Sequence, residues 1–167
     1  SNKELLDFLA SPMPHRGASP ETNEAELFRR NLDMRVSHIS TLTLAAEANE
    51  ETRKEFAEAN LTLAVLDMIP LSLDKPAVMC VLIRALRSMA SQEKAVEQLL
   101  EDQNFIGTLV SLLKSADVSL RIEASALIAL LTVVRDAVLA LKDQNAVPLL
   151  TSILSSPMAQ DEQAIYN

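Results

Sequence analysis

The stretch Asp102–Ser115, DQNFIGTLVSLLKS, returns 41 residues later as Asp143–Ser156, DQNAVPLLTSILSS. Nine of the fourteen positions are identical or exchange one aliphatic residue for another. A fixed period near 40 residues in an apolar, helix-compatible chain is the mark of stacked helical repeats, and it restricts the fold more than any other feature. At 167 residues the chain has room for about four such units.

An apolar triplet at i, i+3, i+4 recurs four times, as Leu5/Phe8/Leu9, Val65/Met68/Ile69, Leu109/Leu112/Leu113 and Leu150/Ile153/Leu154. That spacing puts three side chains on one helical face, the face that must be buried. The triplets begin 60, 44 and 41 residues apart, so the first interval is too long. A longer helix follows each triplet and already keeps the regular register, with Ile39/Leu42 set against Ile83/Leu86. The excess therefore lies earlier, at Ala10–Pro20, where three prolines and a glycine exclude a helix. Ser19-Pro20 reads as the start of the next helix, with Pro at its first position and acids in its opening turns. A short helix precedes each later triplet, at about 51–58, 93–101 and 136–142. It places Phe56, Leu100 and Leu141 four positions before a recurring Asn.

With no Trp and only five Phe or Tyr residues in a chain that is 49% hydrophobic, the core must be aliphatic. The two glycines, Gly17 and Gly107, leave little room for β-turns, so the fold is expected to be all-α.

At this point the chain resembles the armadillo repeat family, which has three helices per unit of about this length. The family joins its short and medium helices through Asp-Ala-Gly-Ala-Leu-Pro-Ala-Leu, and Asp143–Leu150 is similar, with Pro148 in the Pro position. The family Gly is replaced by Asn60, Asn104 and Asn145, and Asn is the next-best residue for a left-handed backbone. Ala85–Ser91, ALRSMAS, looks like the long-helix pattern ALSNIAS. The resemblance implies a right-handed α-solenoid, one armadillo-like domain over 1–167 with an inserted loop at about 11–20. It also implies a concave face lined by the long helices. Armadillo proteins that clamp extended peptides carry Trp and Asn ladders there. Here the Trp positions are Ser40, Arg84 and Ile128, and the Asn positions are Leu44, Ser88 and Thr132, so both ladders are missing.

The candidate protein-binding residues are accordingly Ser40, Leu44, Arg84, Arg87, Ser88, Ile128 and Thr132. Arg84 has two readings. Its guanidinium fork suits a partner's carboxylate, and it suits equally an acid on the neighbouring repeat.

Other chemistries find little support. With 15 Lys+Arg against 23 Asp+Glu the net charge is −8, and basic runs stop at pairs such as Arg29-Arg30. Nucleic acid and anionic membranes ask for a clustered positive footprint. No apolar run reaches the ~18–20 residues of a membrane span. His15, His38 and Cys80 lack zinc-ligand spacing, and the isolated glycines form no phosphate loop. We therefore expect no enzyme activity, no metal and no cofactor. The expected role is a scaffold that binds a helix, peptide or folded surface in the cytoplasm or nucleus. A co-chaperone module and a purely structural solenoid segment are the alternatives.

Three further expectations concern the margins. Cys80, between Met79 and Val81, reads as a small core residue. Ser11-Pro12 and Ser19-Pro20 are either phosphorylation sites or turns, and Ser156-Pro157 repeats the motif at the equivalent point of another unit, which favours turns. Ser1-Asn2 without a starting Met suggests a piece of a longer protein. The apolar rows Leu5, Leu6, Phe8, Leu9 and Val147, Leu149, Leu150, Ile153, Leu154 would then be open ends prone to self-association. The segment 11–18 is expected to be mobile and protease-sensitive.

Overall fold

A computed structural model describes residues 1–17 and 22–133, together with Pro148. The second copy of the opening echo, the last triplet, the short helix at 136–142, Asn145 and the C-terminal apolar row lie outside the described residues, as do Ser19-Pro20 and Ser156-Pro157. Among the described residues the chain is all helical with no strand. Eight helices follow in order: α1 (Asn2–Ala10), α2 (Asn23–Ala48), α3 (Glu50–Glu58), α4 (Leu61–Met68), α5 (Pro76–Met89), α6 (Glu93–Glu101), α7 (Gln103–Leu112) and α8 (Val118–Leu131). Helix α6 has the bounds read from the sequence. Helix α3 starts one residue earlier, where the Asn49 side chain accepts from the Glu51 and Thr52 amides.

After α2, two shorter helices precede each of the longer helices α5 and α8, and several helices of equivalent place pack together. Helix α5 lies between α2 and α8, α3 packs on α6, and α1 packs on α4. One apolar cluster runs unbroken from Leu9 to Leu131. It is aliphatic apart from Phe28, Phe56 and Phe105, and Phe56, Ile39, Leu42, Leu82, Leu86 and Leu99 are wholly enclosed. All of Val65/Met68/Ile69 is buried. In the next triplet Leu109 and Leu113 are buried and Leu112 half so. On α6 the enclosed residue is Leu99 rather than Leu100, which is half-buried.

Helix ends are finished by local chemistry the sequence only partly announced. Asn60 does adopt the left-handed conformation, at φ 60. Asn104 does not, because α7 begins at Gln103 and the Asp102 carboxylate already caps it by accepting from the Phe105 amide at 3.0 Å. An N-cap acceptor removes the need for a left-handed turn at that junction. Helix α2 starts at Asn23 rather than at Pro20. The Thr22 side chain accepts from the Ala25 amide and supplies its cap. Basic side chains cover orphan carbonyls at the opposite ends. Arg53 of α3 donates to Ala46 O at 2.8 Å, and Lys94 of α6 donates to Glu58 O at 3.2 Å.

Residues 11–17 of the Pro-rich segment are not helical, in keeping with their composition, but the first of them are tied down. Arg35 of α2 is only 4% exposed. Its Nη1 donates to Leu9 O at 2.9 Å, its Nη2 to Ser11 O at 2.7 Å, and its Nε to Asn31 Oδ1 at 2.6 Å. The guanidinium also lies 5.1 Å from the centre of the Phe8 ring, whose neighbour is the His38 ring at the same separation. The carbonyls left unpaired at the end of α1 thus find their donor 24 to 26 residues away. Met13 packs against the core. At the N-terminal row Leu9 is buried, and Leu5, Leu6 and Phe8 are half-buried. Much of that row is covered within the chain. Gly17 closes the described part of the loop at φ +79, where a Cβ would meet Thr22 Oγ1 at 2.8 Å.

Candidate functional site

The long helices α2, α5 and α8 share a face, and its composition follows from their buried stripes. On α2 the stripe is Ile39, Leu42, Thr43 and Ala46, which leaves Ser40, Leu44 and Glu47 outside. On α5 it is Met79, Leu82, Ile83, Leu86 and Met89, which leaves Arg84 outside and Arg87 and Ser88 half-buried. Ile39 and Leu42 recur 44 positions on as Ile83 and Leu86, as the sequence register required.

The next step is different. Leu82, Ile83 and Leu86 recur as Leu127, Ile128 and Leu131, each 45 positions on. The register read from the sequence is one residue short at α8. Ile128 takes the place of Ile83 in the core at 1% exposure and offers no surface to a partner. The positions equivalent to Arg84 and Ser88 are Ala129 and Val133, and both are exposed. Thr132, assigned to the ladder row, corresponds instead to Arg87; it is exposed and its hydroxyl donates to Ala129 O at 2.6 Å.

Electrostatics on this face are settled between neighbouring helices. Arg84 holds Glu47 of α2 with a two-pronged grip, Nε to Oε1 at 2.7 Å and Nη2 to Oε2 at 2.8 Å. Arg87 reaches Glu123 of α8, with Nε 3.2 Å from Oε2. The hydrogen bond from Arg84 holds the Glu47 carboxyl below its ordinary range, against the opposing effect of partial burial. Both arginines therefore have an acid from the adjoining helix. Of the two readings of Arg84, the intramolecular pair is the one formed. Ser88 is likewise turned inward, its hydroxyl donating to Ala85 O at 2.6 Å. What the face presents freely is apolar or small: Ser40, Leu44 at 61% exposure, Ala129, and Val133 at 85%.

A cleft of about 380 Å³ lies between α1, the 11–13 segment and α4. Leu6, Leu9, Met13 and Leu71 line it, Asp67 is the one carboxylate on its wall, and Arg35 is committed to the bonds above. Among the described residues no group of three or more His, Cys, Asp or Glu is placed to hold a metal ion. Cys80 is half-buried against the core, and burial followed by Asp117 and Glu123 pushes its thiol up, away from the reactive thiolate. No described helix is long and apolar enough to cross a membrane.

Sequence reasoning missed Arg35 and the two acids. Arg35 falls on the stripe Phe28, Leu32, Arg35, Ile39, a helical spacing that signals a buried charge. Glu47 and Glu123 carried no such signal, since which acid faces Arg84 or Arg87 depends on how the helices sit together. No protein-family model matches the chain, and no curated protein or solved structure is significantly similar to it.

Proposed function

We propose that the chain is an armadillo-like right-handed α-solenoid that acts as a non-enzymatic protein-binding scaffold through the face of its long helices. The observation that carries this reading is the continuity of that face. Three successive long helices lie side by side, joined across α2 to α5 by Arg84–Glu47 and across α5 to α8 by Arg87–Glu123. Stacked repeats build an extended concave surface from such helices.

The chemistry of the face favours a partner that brings apolar side chains rather than a carboxylate. An acidic partner would have to displace Glu47 or Glu123 from geometry already made, whereas Leu44 and Val133 stand in water with nothing to displace. An amphipathic helix laid across the groove meets this requirement.

The test is comparative affinity capture with the wild-type chain and with Leu44→Glu/Val133→Glu as baits. The reading expects a reproducible partner set that the double variant loses. Its melting should stay within about 0.5 kcal/mol of wild type, as for surface substitutions away from special features. An unchanged set would remove this face from consideration. A set consisting of heat-shock chaperones would turn the scaffold into a co-chaperone, and no reproducible set would leave a structural segment.

A further inference from the structure

Arg35 has an unusual position for a charged side chain. It is 4% exposed, and among the described residues no carboxylate lies within ion-pair distance of it. Its acceptors are all neutral: Leu9 O, Ser11 O, Ser11 Oγ at 3.2 Å, Pro12 O at 3.4 Å and Asn31 Oδ1. Burial lowers its pKa, which is the cost of a cation without a counter-charge. Of these acceptors the Ser11 hydroxyl is the one nucleophile, and it stands on the outer side of the guanidinium. Ser11 is exposed, its backbone is extended at φ −71 and ψ 150, and the exposed Pro12 follows it. Turn chemistry accounts for the bond from Ser11 Oγ to Phe8 O, but not for a buried cation facing that oxygen with no acid beside it among the described residues.

We propose that Ser11 is a phosphorylation site for a proline-directed protein kinase, and that its phosphate becomes the counter-ion of Arg35. In the transfer, Ser11 Oγ attacks the γ-phosphorus of the kinase-bound nucleoside triphosphate. The Oγ–P bond forms as the bond to the bridging oxygen breaks. The nucleoside diphosphate leaves, and the hydroxyl proton passes to the kinase's base. The product carries a charge of about −1.5 to −2 at neutral pH and three strong acceptors. Arg35 now bonds only neutral oxygens, and a phosphate would add an opposite charge and the two-pronged geometry that a guanidinium favours. The carbonyl end of α1 opposes a nearby anion, but that effect is screened by salt and fades within one turn. The balance tightens the clasp between α2 and the segment after α1.

Two arms test this on the full chain. In the first, a purified proline-directed serine/threonine kinase and Mg-ATP are supplied, and sites are mapped by mass spectrometry with Ser11→Ala as control. In the second, phosphoserine is installed at position 11 during translation, in wild-type and Arg35→Lys backgrounds. The expected results are phosphate on Ser11, a Tm raised by on the order of 5 °C, and a clearly smaller rise in Arg35→Lys, which keeps the charge but loses the fork. Failure of the kinase to modify Ser11 would overturn the site. An unchanged or lowered Tm with phosphoserine installed would overturn the counter-ion role, as would an equal rise in both backgrounds.

Discussion

The interior around α5 and the α1 end of the described helices solve the same problem by different means. Around α5, each helix is held by apolar surfaces that repeat, so Ile83 and Leu86 have buried equivalents on both α2 and α8, the helices α5 packs against. At α1 the repeat is interrupted by a Pro-rich segment, and the regular contact is supplemented by one buried arginine with four bonds of 2.7 to 3.4 Å to the chain from Leu9 to Pro12. Hydrophobic burial is non-directional and tolerates small shifts, whereas a guanidinium fork is directional and fails as a unit. The interior should therefore resist gradual change and collapse globally. The α1 region should open locally when one side chain is removed.

The largest effect should come from the interior. Phe56 is wholly enclosed between α3 and its neighbours, and Phe56→Ala should cost about 3–5 kcal/mol. In urea titration the whole helical signal should shift to lower midpoint in one transition. A separate early transition would mean that the repeats do not share a core.

Arg35→Met should cost less, about 1–3 kcal/mol for carbonyls left without donors. Its signature is spatial. Limited proteolysis should now cut first within 11–17, while α5 to α8 stay intact. Equal loss of protection in α5 would erase the distinction between the two regions.

Gly17→Ala tests the same end from the other side of the loop. The left-handed φ and the approach of Thr22 Oγ1 to the missing Cβ put strain on the cap of α2, with an expected cost of about 1–2 kcal/mol. Thermal melting should register it. A variant as stable as wild type would show that the loop moves aside freely.

The smallest effect belongs to the exposed ion pair. Arg84→Gln should cost under about 1 kcal/mol, since the pair is solvent-exposed and screened. Its sign with pH is fixed. The folded-state pKa of Glu47 is depressed by Arg84, so the pair's contribution is present above the ordinary carboxylate pKa and is lost as pH falls through the lower folded-state value. Wild type and Arg84→Gln should therefore differ in stability near neutral pH and converge in acid. A difference that grows on acidification would contradict the pair.

Legibility in the sequence divided along the same line. The interior was readable because burial at i, i+3, i+4 leaves a periodic trace. That trace set the bounds of α6 and put Val65, Met68 and Ile69 in the core, while the prolines and the glycine marked the segment after α1 as non-helical. Asn60 was legible because few residues tolerate its backbone. Ile128 was misplaced because a shift of one residue between α5 and α8 exchanges a surface position for a core one, and the echo fixes only the preceding helix. The described start of α2 is set by the Thr22 side chain, a cap that the Pro-based reading overlooked. Segment 11–18 was expected to be mobile, yet its described first residues are bonded to Arg35, because an arginine in a buried stripe can reach a loop that composition alone marks as open.

If α1 and its loop form a locally clasped unit on a cooperative interior, native-state hydrogen exchange will resolve the two. Exchange should be followed residue by residue in low denaturant, in wild type and in Arg35→Met. The α5 amides should exchange only through global unfolding in both proteins. Amides of α1 should exchange through a smaller opening whose free energy falls in the variant by more than that of α5. If α1 and α5 share one opening free energy in wild type and lose it equally in Arg35→Met, the chain is a single cooperative body and the clasp is not a separate element.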